Sequence, residues 1–444
     1  MKILKMKSHK ILIVILTLSC FMHIILFPVH SGQDNAQAQT PINKKTLENG
    51  LTLIYQKDAS SAVTVVQVLI RGGQQADPDD KQGLAYLTTR LVLEIPDDKK
   101  AQNMMSQASR IYMTCYRDYS IINITSLSEN LDETLDITSY IILNPLFSGL
   151  RIDLIKKQME YRKKAQEDDA ILVGHYAVFE KFFTGLGYGG SVFGSEESLK
   201  AMKKKDIKGF YDSHFNAGNM IVASISDLEE EALCEIIEQH FTQLPSGEAV
   251  EAKPIAGSVP EEREIFIEKD TQQYFISLSF LLPEVTTQNY TLAYLTEHLL
   301  GKGLNSRLWH LRSEEKLAYN VNARATQMRQ AGILEAYLET DKEKKETALE
   351  SLRRVLSTLY EGGITDEELE VTKTFSKASF LRDNETKTTR ASNLASFEAL
   401  GLGFEFLDRF SEEIDAISLE EINAYIKQVL DPAKGVEVVV GPKK

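Results

Sequence analysis

Histidine and cysteine are scarce in this chain, with eight and three in 444 residues. His175, His214, His240 and His310 show no metal-ligand or triad spacing, and no G-x-S-x-G elbow occurs, so a hydrolase built on a serine nucleophile has no support. Basic residues are outnumbered 50 to 64, which gives a net charge of −14. A surface of that sign repels phosphate backbones and argues against nucleic acid as a partner. The glycine-rich "GLGYGG" lacks the Lys-Ser/Thr ending of a phosphate loop and reads as a turn. The basic run "KAMKKKDIK" reads as a solvated helix face. Asn123, Asn289 and Asn384 open N-x-S/T triplets, which matter only in a glycosylating host.

What remains is an ordinary folded composition, 43% hydrophobic and 26% charged, in a chain longer than one core usually supports. The N-terminus stands apart. Lys2, Lys5, Lys7 and Lys10 precede the apolar run "ILIVILTLSCFMHIILFPV", and Ala36 and Ala38 follow at signal-cleavage spacing. Export to the periplasm or medium is expected, with residues 1–38 removed and no stable membrane insertion afterwards. A retained anchor is the competing reading, because the run is nearly long enough to span. Lipidation at Cys20 is a weaker one, since apolar residues continue past it. Cleavage would leave Cys115 and Cys234; a disulfide between them is open, and two buried thiols is the simpler reading.

The stretch "LPSGEAVEAKPIAGSVPEERE", residues 244–264, reads as a linker between halves 39–243 and 265–444. Both halves repeat one order. "LTLIYQK" and "VTVVQVLIR" precede a helical "LAYLTTRL", and "EIFIEK" and "YFISLSFLL" precede "LAYLTEHL". "ENLDETLDITSYIILNPLF" parallels "KEKKETALESLRRVLSTLY", and each half leads to a late apolar strand, "NMIVASIS" or "GVEVVVG". This predicts an α+β fold of two homologous domains, each a mostly antiparallel sheet backed by helices.

Two histidines at i and i+4 on such a helix, with a glutamate at i+3, form the inverted zinc motif H-x-x-E-H. In the first copy those positions hold Tyr86, Thr89 and Arg90; in the second, Tyr294, Glu297 and His298. Threonine is a poor zinc ligand and arginine repels a cation. His298 without a second histidine is read as packed or hydrogen-bonded near its helix.

The runs "LENGLTLIYQKD", "VQVLIRGGQQADPDDKQGLAYL", "GLGYGGSVFGSEESLKAMKKKDIKGFYDSHFNAGNMIVA" and "LGKGLNSRLWHLRSEEKLAYNVNA", in order, resemble the insulinase/pitrilysin family of zinc peptidases, nearest its processing-peptidase-like short subunits. The resemblance implies domains arranged as a half-clamshell. It places H-x-x-E-H on Tyr86, Thr89 and Arg90 and the third ligand, a glutamate, on Arg162. It also places a small Asn-Ala segment at Tyr112 and Met113, whose bulk fills either the substrate space or ordinary core. No zinc is therefore expected in this chain. The family's Arg and Tyr seven residues apart, which reach the zinc site of a facing domain, fall on Arg312 and Tyr319. These project to one side if the helix persists that far, although Lys316 stands where the family has glycine. The implied role is a metal-free subunit of a heterodimeric peptidase, binding an unfolded peptide beside a homologous zinc-bearing partner. The rival is a non-enzymatic peptide-binding or scaffold subunit of the same fold.

Overall fold

The computed structural model describes residues 40–95 and 97–443; the segment expected to be an export signal lies outside them. The first half runs β1 (Asn43–Thr46), β2 (Thr52–Lys57), β3 (Val63–Arg71), α1 (Leu84–Val92), α2 (Asp98–Ser106), β4 (Arg110–Cys115) and β5 (Tyr119–Leu127). It continues with α3 (Leu131–Leu143), α4 (Gly149–Asp168), α5 (Ala170–Phe182), α6 (Glu196–Ala201), α7 (Lys204–His214), β6 (Met220–Ser226) and α8 (Glu230–Phe241). The second half runs β7 (Glu264–Glu268), β8 (Gln273–Leu282), α9 (Thr287–Gly301), α10 (Trp309–Ser313), β9 (Asn320–Gln327) and β10 (Gly332–Asp341). Then follow α11 (Lys345–Gly362), α12 (Asp366–Asp383), α13 (Lys387–Leu400), α14 (Phe406–Ala416), α15 (Leu419–Val429) and β11 (Val436–Gly441).

The repeat is visible in the sheets. Their strand orders are β1-β2-β6-β3-β5-β4 and β7-β11-β8-β10-β9, the same succession once the short β1 is set aside. In each sheet one pair is parallel, β2 with β6 and β7 with β11, and the remaining pairs are antiparallel. This is the α+β architecture of two helix-backed sheets expected from the sequence.

The central strands are apolar on both faces because both faces are covered. On β3, Val66, Val68 and Ile70 join a core with Leu87 and Leu91 of α1, Leu135 of α3 and Ile237 of α8. Val65 and Leu69 point the other way, into a core that contains Ala391, Leu394 and Ala395 of α13. That helix belongs to the second half, and α5 of the first half packs in turn on β8 and β11 of the second sheet. Each half thus covers one face of the other's sheet.

Small residues permit the close approach. A Cβ on Gly174 of α5 would lie 2.2 Å from the ring of Phe275 on β8. Polar contacts lock both exchanges. Lys387, 8% exposed at the start of α13, donates to the carbonyls of Asp58, Ser61 and Val63 at 2.7, 2.8 and 2.9 Å. His175 Nδ1 on α5 lies 2.6 Å from Glu335 Oε1 on β10. The segment between α8 and β7 is pinned as well: Val250 N–H donates to Asn219, Ile255 N–H to Gln330, and Ser258 N–H to the carbonyl of Phe182. Cys115 and Cys234 are both buried free thiols, and burial pushes Cys115 up to about 12.

Candidate functional site

Helix α1 starts on Gly83, whose φ of +96° favours glycine, and Asp77 receives the N–H groups of Gly83 and Ala85 at 2.6 and 2.7 Å. Burial raises Asp77 to about 7, against the pull of those two donors. Helix α1 packs on α4, and the two helices bring Tyr86 and Arg162 together. The Arg162 guanidinium lies 5.9 Å from the Tyr86 ring and 5.8 Å from that of Phe193, and the two rings meet edge to face at 4.9 Å. Tyr86 is 6% exposed, and burial holds its phenol above the ordinary range. Thr89 is buried beside it. Arg90 turns to Glu94 at 2.6 Å, and Arg151 reaches the same carboxylate at 3.3 Å.

The four positions cannot chelate a divalent ion. They present a buried phenol, a hydroxyl and two guanidinium groups that stay protonated. No group of three or more His, Cys, Asp or Glu side chains among the described residues is placed to hold a metal. On the adjoining edge strand β4, Tyr112 is 42% exposed and Met113 packs on the first-half core. Tyr112 is therefore not core packing.

In the second half, "LAYLTEHL" sits midway along α9 rather than early in a helix as in the first copy. His298 is buried, its Nδ1 lies 2.9 Å from the Tyr294 carbonyl, and its ring stacks on Tyr294 at 4.2 Å. Glu297 turns instead to Lys302 at 3.2 Å. The packed, hydrogen-bonded histidine expected from the sequence is what stands there.

Burial lowers His298 to about 4. Its folded value lies below the unfolded one, so the unfolded chain binds the additional proton between about pH 6.5 and 4 and stability falls as pH drops through that window. The slope from this one group is at most about 1.4 kcal/mol per pH unit. Urea midpoints at pH 7, 5.5 and 4.5 should show a shallower acid loss in His298→Gln than in the parent; equal slopes would refute the assignment.

Arg312 and Tyr319 do not share a helix. α10 ends at Ser313, and Tyr319 lies just before β9. The chain turns through Lys316 at φ +56°, the left-handed conformation that glycine adopts freely. Arg312 is exposed with its guanidinium 5.1 Å from the Trp309 ring. Tyr319 is 59% exposed and its hydroxyl reaches Asp341 only at 3.4 Å. Both side chains therefore stand in solvent with weak intramolecular ties.

Relief of the left-handed strain, about 1–2 kcal/mol, exceeds the added unfolded-chain freedom of glycine, about 0.4–1 kcal/mol. Lys316→Gly should stabilise the protein by roughly 0.5–1 kcal/mol in urea unfolding. A loss of stability would contradict this.

Sequence reasoning missed the polar groups where the halves meet: the buried Tyr188, His175 and Glu335, and the partly buried Arg117, Asp118 and Arg324. Asp118 accepts from the Tyr188 hydroxyl and from the Arg329 N–H at 3.0 Å. Arg117 donates to the Tyr188 carbonyl at 3.0 Å and lies 3.5 Å over the Phe179 ring; burial lowers it to about 10.

Fold and site together define a two-sheet, internally repeated α+β protein in which Arg162 faces Tyr86 and no cluster among the described residues is placed to hold a metal. Residues 52–195 match the family described as "Insulinase (Peptidase family M16)" and residues 201–375 match "Peptidase M16 inactive domain". The chain belongs to the insulinase family, M16. It is 24% identical over 414 residues to the Helicobacter pylori protein named "Non-peptidase homolog YmxG", covering 92% of this chain and 95% of that protein. It is 22% identical over 238 residues to a "Probable mitochondrial-processing peptidase subunit beta" of Arabidopsis thaliana, covering 52% of this chain and 44% of that one. Among solved structures, a "peptidase M16 inactive domain" from Pseudomonas fluorescens superposes with a TM-score of 0.83 at 20% identity, covering 91% of this chain and 98% of that one.

Proposed function

We propose that this chain is the metal-free subunit of a heterodimeric zinc peptidase, presenting substrate-binding groups to a homologous partner that carries intact H-x-x-E-H. The reading rests on one contrast. Tyr86 and Thr89 are buried, Arg90 is ion-paired and Arg162 sets an exposed cation against the Tyr86 ring, so none of the chelating or base positions is open to a metal, whereas Arg312 and Tyr319 remain exposed and lightly held.

A planar guanidinium can hold a peptide carbonyl, and a phenol can donate to an oxygen that gains charge in a tetrahedral transition state. The unfolded peptide would pair with a free sheet edge, a mode that asks little of its side chains. β4 is such an edge in the first sheet, and it carries the exposed Tyr112. The name "Non-peptidase homolog" and the match to an "inactive domain" support a non-catalytic role, and the processing-peptidase "subunit beta" supports work as part of a pair.

The test is native purification from the source's exported fraction. A zinc-containing chain of similar size that co-elutes and cleaves unfolded peptides is the expected result. Recovery of this chain alone, binding peptides without a zinc-bearing partner, would favour the scaffold reading instead.

A further inference from the structure

Helix α4 is apolar on two opposite sides. Ile152, Ile155 and Met159 are buried against the first-half core. At about 100° per residue, Leu150, Leu154, Lys157, Tyr161 and Lys164 form a single row on the opposite side, with steps of four and three. All five are exposed: Leu150 by 86%, Leu154 by 42% and Tyr161 by 73%. Leu146, 52% exposed in the segment just before the helix, lines a recess of about 560 Å³ with Arg151, Lys204 and Lys208. Glu94, the one carboxylate lining that recess, is already paired with Arg90 and Arg151. Lys157, Lys164, Lys204 and Lys208 form no ion pair among the described residues. Asp153 and Glu160 lie at the flank of the row on the same helix, and the exposed Asp168, a further step of four beyond Lys164, ends it.

A row of apolar residues at steps of four and three also suits a partner helix. Lysines at two of its five positions decide between the two. In a helix–helix seam they would bury ammonium groups without partners, whereas at a bilayer surface the lysine stem lies along the acyl boundary and its charge reaches a lipid phosphate. The net charge of −14 does not oppose this, because charges more than about 10 Å away are largely screened at physiological salt.

We propose that this face of α4 docks on an anionic membrane surface, with Leu146, Leu150, Leu154 and Tyr161 at the acyl boundary and Lys157, Lys164, Lys204 and Lys208 on lipid phosphates. No described helix is long and apolar enough to cross a membrane, and the proposed contact is one made at the bilayer surface. The inference is independent of the peptidase-subunit reading.

The test is local to the row. In the full chain, Tyr161→Trp provides a reporter whose emission should shift to the blue and be quenched by brominated acyl chains in vesicles of phosphatidylcholine with 30% phosphatidylglycerol. Trp309, the one native tryptophan, sets the background in the parent chain. Quenching should fall at least tenfold in pure phosphatidylcholine, in a Lys204→Glu/Lys208→Glu variant and in a Leu150→Glu/Leu154→Glu variant. All these side chains are exposed, so the variants should keep the parent's circular dichroism and melting profile. No quenching with anionic vesicles, or quenching that persists in both double variants, would overturn the proposal. So would a photo-cross-linker at Leu150 that captures a polypeptide while the reporter stays unquenched, since that assigns the face to a protein partner.

Discussion

Glu335→Ala is expected to lower unfolding free energy by about 3 kcal/mol, the largest single-site stability effect foreseen here. Its carboxylate is wholly buried on β10, 2.6 Å from His175 Nδ1 and 3.1 Å from an Arg324 nitrogen. His175 is also buried, edge-on to Phe275 and Tyr337, so losing the carboxylate leaves its polar atom without a substitute. Arg324 is 41% exposed and can return to water, which keeps the loss below that of a fully buried ion triad. The damage should be directional, because His175 comes from the first half and Glu335 from the second. Proteolysis between α4 and α5 should therefore accelerate along with the fall in urea midpoint. A cycle with His175→Ala should show coupling above about 1 kcal/mol. The exposed pair Arg354–Glu315, at 2.6 Å with the arginine 58% exposed, gives the contrast: breaking it should cost under about 1 kcal/mol. Equal losses for the two pairs would contradict the role assigned to the buried one.

If this chain works as the proposed metal-free subunit, Arg312→Ala and Tyr319→Phe should each reduce peptide cleavage by the two-subunit assembly roughly a hundredfold, about 3 kcal/mol, while leaving folding intact. Stability should not change because both side chains are exposed and their internal contacts are weak. Tyr319→Phe should act mainly on kcat, since a phenol that donates to developing charge contributes only in the transition state. Arg312→Ala should also raise KM, because a held carbonyl is present in the bound substrate. Unchanged activity in both variants would remove these residues from the site.

Much of this fold was legible in the sequence because duplication prints itself twice. "LTLIYQK" and "EIFIEK" became β2 and β7, and both sheets repeat one strand order. The meeting of α1 with a distant arginine, which the resemblance implied, is also found: Arg162 does arrive opposite Tyr86. The exchange of α5 and α13 was not legible. Both helices are apolar, and nothing in their periodicity says which sheet they cover; His175 and Glu335 are 160 residues apart and neither sits in a motif. The end of α10 was hidden for a different reason. A glycine at position 316 would have marked the left-handed stop, and lysine adopts that conformation here without the sequence signal.

The central claim is that Tyr86, Thr89, Arg90 and Arg162 leave no place for zinc in this polypeptide. Elemental analysis of the purified chain after dialysis against micromolar zinc tests it most directly. The account predicts well under one zinc per chain, with no chelator-sensitive cleavage of peptides. One zinc per chain, lost on Tyr86→Ala or Thr89→Ala and accompanied by chelator-sensitive cleavage, would contradict it.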